Sequence, residues 1–127
     1  MARIKSAVDL VVYQKAYRLA MDIFHISKSW PKEERYSLTD QVRRSSRAVC
    51  ANLQEAWAKR RYRAHFISKL TDVDSENAET STWLKFALDC GYLEMSEYRR
   101  LNPIVDEIKK MIDSMLYKPD PFLLKLE

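Results

Sequence analysis

Apolar residues recur at helical spacing in four long runs of this chain, and that periodicity limits its fold more than any other feature. The first run covers about residues 7–29. Val8, Val12, Leu19, Ile23 and Ile26 share one face, while Leu10, Tyr13, Tyr17, Ala20 and Phe24 lie on another. A helix apolar on two sides is expected to be buried on two sides, which is more cover than a monomeric bundle requires. Trp30-Pro31 ends the run, because proline disfavours helical geometry in the residue before it. Ser37-Leu38-Thr39-Asp40 reads as a new start, with Ser37 as N-cap and Asp40 near the positive end of the helix dipole. The second run reaches about residue 59, with Leu38, Val42, Val49, Leu53 and Ala56 as its core line.

The third run covers about residues 63–90, with Phe66, Leu70, Val73, Leu84 and Leu88 on one face. The fourth, about residues 96–117, carries Leu101, Val105, Ile108, Ile112 and Met115 and has Ser96 as its expected N-cap. Pro103 predicts either a kink or a later start at Asn102-Pro103. A tail, residues 118–127, leaves the last helix with Phe122, Leu123 and Leu124 available for docking. Short connections between long helices make neighbours antiparallel. The expectation is one all-α domain over residues 1–127, an up-down-up-down four-helix bundle.

Glycine supports this by its scarcity: Gly91 is the one glycine among 127 residues. Sheet proteins rich in tight turns use glycine for positive-φ positions, and glycine-rich phosphate cradles need several close together. Both classes are excluded. Gly91 itself falls just past the third helix, where a left-handed residue is wanted. Cys50 and Cys90 stand alone in separate helices, which suits two buried thiols in a reducing compartment rather than a disulfide framework or zinc site. Met1 to Ser6 leads into a charged amphipathic stretch rather than an apolar signal core. No run of about 18 apolar residues could span a bilayer, so the expected location is cytoplasmic, with no membrane partner.

Bundles often house paired metals, which need Glu-x-x-His pairs facing inward. Here His25 and His65 are the only histidines, and Asp22-x-x-His25 is the nearest match. No metal, no cofactor and no activated nucleophile is expected. Two polar zones do stand out. Gln41, Arg44, Asn52 and Glu55 run along one flank of the second helix, and Asn77, Thr80 and Ser81, with Glu79 nearby, interrupt the core line of the third. Buried polar groups must be paired, so the two zones are expected to meet in one network of Gln41, Arg44, Asn52, Glu55 and Glu79. Losing one partner of such a buried charge pair would cost about 3–5 kcal/mol. A small-molecule pocket or enzyme site in that polar core is the competing reading.

Charge is unevenly placed. Residues 43–63 hold seven bases against one acid, Glu55, a net +6 on a chain whose total is +4. Residues 72–79 hold four acids and no base. Arg43, Arg47, Lys59, Arg60, Arg61 and Arg63 therefore form a candidate nucleic-acid-binding ridge and tip, with Trp57 and Tyr62 near the tip. The same surface could instead meet an acidic protein or a sister subunit.

The string Leu38-Thr39-x-Gln41-x-Arg43-Arg44, then Ala51-Asn52-Leu53-x-Glu55, then Phe66-x-x-x-Leu70, Glu79 and Gly91-Tyr92-Leu93, resembles the bacterial four-helix-bundle family labelled S23 ribosomal protein. Its members include proteins encoded within intervening sequences of 23S rRNA genes, and it is related to accessory proteins of diversity-generating retroelements. The resemblance covers about Leu10 to Leu116. The chain departs from the family pattern at Ala56, where a glycine is usual, and at Ser75-Glu76, where a Gly-Ser pair is usual. The resemblance implies a homo-oligomer, a ring-like pentamer foremost, and RNA, DNA or a reverse transcriptase as partners of some relatives. It does not imply ribosomal membership. The functional expectation is a non-enzymatic oligomeric scaffold acting on nucleic acid through its basic surface, with a protein-interaction module as the alternative.

Overall fold

Each of the four apolar runs becomes a helix in the computed structural model, which describes residues 4–125. They are α1 (Val11–Ile26), α2 (Leu38–Ala58), α3 (Arg63–Asp89) and α4 (Met95–Tyr117), and no strand occurs among the described residues. Met1 to Arg3, Leu126 and Glu127, the ends of the expected domain, lie outside the described residues. Contacts join α1 to α2, α2 to α3, α3 to α4 and α4 back to α1, with α2 against α3 the most extensive seam. That cyclic order is an antiparallel bundle.

The core follows the predicted lines except at Val8, which lies in the turn before α1 and is exposed. Val42, Leu53, Ala56, Phe66, Leu70, Val73, Leu84, Leu101, Ile108 and Ile112 are almost wholly buried. Gly91 adopts φ +80°. Its N–H donates to the Leu88 carbonyl at 3.0 Å and the Tyr92 N–H to that of Ala87 at 2.9 Å, the paired bonds of a Schellman ending.

Helix ends differ from the sequence expectation in three places. The first helix does not begin at residue 7: Ala7–Asp9 form a 3₁₀ turn and Leu10 is extended. Asp9 Oδ2 accepts the Lys5 and Ser6 N–H groups at 2.8 and 3.2 Å and so caps the start of that turn, and the extended Leu10 separates it from α1. At α2, Ser37 occupies the N-cap position but its side chain caps nothing; Oγ instead donates to Glu34 Oε1 at 2.5 Å. That bond, with a second from Tyr92, holds the Glu34 carboxyl below its usual pKa. At α4, the start is neither Ser96 nor Pro103 but Met95, because Glu97 Oε1 accepts the Glu94 N–H at 2.9 Å in half of a capping box. The helix continues through Pro103. Pro103 has no N–H to donate to the preceding turn, and burial of Leu101 and Val105 on either side sustains the helix.

Candidate nucleic-acid interface

The six basic residues singled out in the sequence lie as a ridge, Arg43 and Arg47 on α2, and a tip, Lys59, Arg60, Arg61 and Arg63 at its far end. α2 separates them into two clusters, and the twelve residues from Arg47 to Lys59 put about 18 Å between them at 1.5 Å per residue.

The first cluster is organised by Phe24 of α1. Lys28 Nζ lies 4.7 Å from its ring centroid, and the guanidinium carbons of Arg43 and Arg47 lie at 4.9 and 5.6 Å. Arg43 is also anchored from behind: Nε donates to Ser27 Oγ at 2.8 Å and one terminal nitrogen to the Phe24 carbonyl at 3.4 Å. These partners are uncharged, so they fix the guanidinium without neutralising it. An open cleft of about 490 Å³ adjoins, lined by Arg35, Tyr36, Asp40, Arg43, Arg44 and Arg47. Four guanidiniums share it with a single carboxylate.

At the second cluster, on the α2–α3 corner, Arg60 stacks over Trp57 at 4.1 Å. Lys59 and Arg61 are exposed. Arg63 is spent on an ion pair with Asp120, so the C-terminal segment removes part of the charge at the tip. The segment is held there by the Leu124 N–H, which donates to the Arg60 carbonyl at 3.2 Å, and by Phe122 stacked 6.4 Å from Phe66.

The expected single polar network is corrected to two separate surface clusters. Arg44 donates to Glu76 at 3.1 Å and to Glu79 at 3.0 Å, and its Nε approaches Gln41 Oε1 at 3.4 Å. Glu55 takes no part: it is exposed and pairs with Lys69 of α3 at 2.5 Å, with Asp72 at 3.4 Å on the same lysine. The Glu55 carboxylate, helped by Asp72, pushes Lys69 above its ordinary pKa. Asn52 is half-buried and joins neither cluster. The physical reason is spacing along α2. Glu55 lies eleven residues, about three turns, beyond Arg44, so the two face different turns of an antiparallel α3.

What is truly buried is smaller and neutral. Ser45 and Thr80 share a hydrogen bond of 2.8 Å between α2 and α3. Asn77 turns the other way and donates to the Val105 carbonyl of α4 at 3.0 Å. Sequence reasoning missed Ser45; the signal was a serine on the core side of α2 level with the polar break in α3.

A second cleft, about 540 Å³, runs between α3 and α4 past Asn77, Ser81, Phe86 and Tyr98. Most of its charges are paired: Lys109 with Asp74 and Asp113 at 3.1 and 3.0 Å, Lys85 with Asp89 at 3.3 Å, while Asp106 lines it without an ion pair among the described residues. Asp22, the acid of the one metal-like pair, bonds Arg100 at 3.3 Å. Among the described residues no group of three or more His, Cys, Asp and Glu is placed to hold a metal, and no helix is long and apolar enough to cross a membrane.

The two thiols differ, against expectation. Cys50 is buried and its pKa is pushed up to about 11 by loss of solvent, whereas Cys90 is exposed because it caps α3 at the end of the bundle. The second apolar face of α1 also divides. Leu10 and Ala20 are buried within the monomer, Phe24 is roofed by cations, and Tyr17 and Met21 remain exposed. Tyr13 stacks on Tyr17 at 6.2 Å, and shallow clefts of about 350 and 330 Å³ flank the pair.

A sequence model of the 23S rRNA-intervening sequence protein family matches residues 8–114. Among solved structures, a protein of unknown function from the S23 ribosomal protein family of Bacteroides thetaiotaomicron is similar at 29% identity. The match covers 85% of this chain and 96% of that one, with a TM-score of 0.77. No curated protein matches.

Proposed function

This chain belongs to the 23S rRNA-intervening sequence protein family, and we propose that it is a non-enzymatic, oligomeric scaffold that binds nucleic acid through the basic face of α2. The observation that carries the proposal is the gathering of Lys28, Arg43 and Arg47 on the Phe24 ring. Bringing three cations together costs repulsion; among the described residues none of the three has an ion-pair partner, and the adjoining cleft offers the single carboxylate of Asp40. A polyanion would offset that repulsion. The tip cations Lys59 and Arg61, about 18 Å further along α2, lie within reach of the same strand, roughly five base steps at about 3.4 Å each.

Oligomerisation is the second part of the proposal. Tyr17 and Met21 on α1, and Phe86 beside Trp83 on α3, expose apolar surface on helices that lie diagonally across the bundle. Two different patches on opposite sides suit a head-to-tail contact, which closes into a ring when the rotation allows. A ring repeats the basic face and multiplies weak phosphate contacts into avidity.

The test is a titration of RNA and DNA oligonucleotides from low to moderate salt, alongside light scattering. Binding should weaken steeply with salt, with a log–log slope of about 0.7–0.9 per phosphate contact, and the scattering mass should exceed that of the monomer. No binding at low salt would favour a protein partner for the same surface.

A further inference from the structure

Resting on the nucleic-acid reading, we infer that the cleft of Arg35, Tyr36, Arg43 and Arg47 holds one unpaired nucleotide, its phosphate on the guanidiniums and its base on Tyr36, so that the protein prefers single strands to duplex.

Three features of the cleft support this. Its volume of about 490 Å³ falls within the range of about 300–1,000 Å³ usual for clefts that enclose a small organic unit. A phosphate on a duplex is presented on a convex backbone, and its base is already stacked and paired. Only a strand whose bases can be splayed out puts a phosphate and a free base face into one concavity.

The guanidiniums are suited to the phosphate. Arg43 has five N–H donors, and the bonds to Ser27 and Phe24 use two. Three remain, on a group already immobilised, so little side-chain freedom is lost on binding. Arg47 is held over the same ring, and neither Arg35 nor Arg47 has an acidic ion-pair partner among the described residues. Arg44, by contrast, is engaged with Glu76 and Glu79 and closes one wall.

Tyr36 supplies what a phosphate site alone does not need. The residue is 86% exposed at the lip of the cleft, in the turn before α2. A tyrosine ring left in water is unfavourable for the monomer, and it is the residue type on which bases of any identity stack. Its position beside four arginines joins a stacking platform to an anion site. The expected recognition is therefore of strand state rather than of sequence.

The experiment is fluorescence polarisation at low salt with labelled single-stranded RNA, single-stranded DNA and the matching duplexes, using the full chain and its Tyr36→Ala and Tyr36→Phe variants. Tyr36 is exposed, so both variants should fold, which circular dichroism would check. The expected result is tighter binding of single strands and a loss of about tenfold in single-strand affinity for Tyr36→Ala. Duplex affinity should be unchanged, and Tyr36→Phe should bind as the parent does. An effect of Tyr36→Ala equal on single strands and duplexes, or none on single strands, would overturn the inference while leaving the scaffold reading in place. Competition by an Asp/Glu-rich peptide as strong as that by the single strand would also overturn it. Absence of all nucleic-acid binding would remove both.

Discussion

The two seams made by α2 handle charge in opposite ways. Against α3, opposite charges meet: Arg44 with Glu76 and Glu79, Glu55 with Lys69, all above a buried core and one neutral Ser45–Thr80 bond. Against α1, like charges meet: Lys28, Arg43 and Arg47 crowd a phenyl ring and keep their charge. The first arrangement satisfies itself and leaves nothing to recruit a ligand. The second is stable enough to persist but electrostatically incomplete. A cation's availability is thus decided by what anchors it, and two arginines one turn apart on the same helix are anchored differently, Arg44 by carboxylates and Arg47 by a ring.

The largest effect that would sharpen this contrast is on stability and lies in the α2–α3 seam. Leu70 is fully buried there, and Leu70→Ala should cost about 2–5 kcal/mol. Chemical denaturation would read this as a lower midpoint, while nucleic-acid affinity of the still-folded protein stays near its original value. A smaller effect is expected at Glu55. Because it is exposed, Glu55→Ala should change stability by about 1 kcal/mol or less. A loss of several kcal/mol would instead restore the buried network that the sequence suggested.

That difference shows where the sequence was legible and where it was not. Hydrophobic spacing located all four helices and most core residues, because burial repeats with the helical period, but it placed the exposed Val8 in the core and passed over Ala16, Ala87 and Leu93. Gly91 was legible for a similar reason: one conformation explains one rare residue. The starts of α1 and α4 were misread, and at α2 the start at Leu38 was read correctly but not the partner of Ser37, since a side chain's choice between the backbone and a neighbouring side chain depends on three-dimensional geometry. The candidate site was half legible. The run of basic residues was evident, but Phe24 looked like apolar surface awaiting a subunit, and nothing in its spacing said that arginines from another helix would cover it. Arg35 and Tyr36 sat in a connection without periodicity and gave no signal.

The most direct test of the central claim compares Arg47→Ala with Arg44→Ala. Each removes one positive charge from an exposed position on α2, so any account based on net charge predicts the same outcome for both. Affinity for a single-stranded oligonucleotide would be measured across a salt series. The expected result is a log–log slope smaller by about one for Arg47→Ala, reflecting one lost phosphate contact. For Arg44→Ala the slope should not change, and a slightly lower Tm should mark the loss of its pairs with Glu76 and Glu79. Equal slopes for the two variants, or a change in Arg44→Ala alone, would contradict the division of labour between the seams.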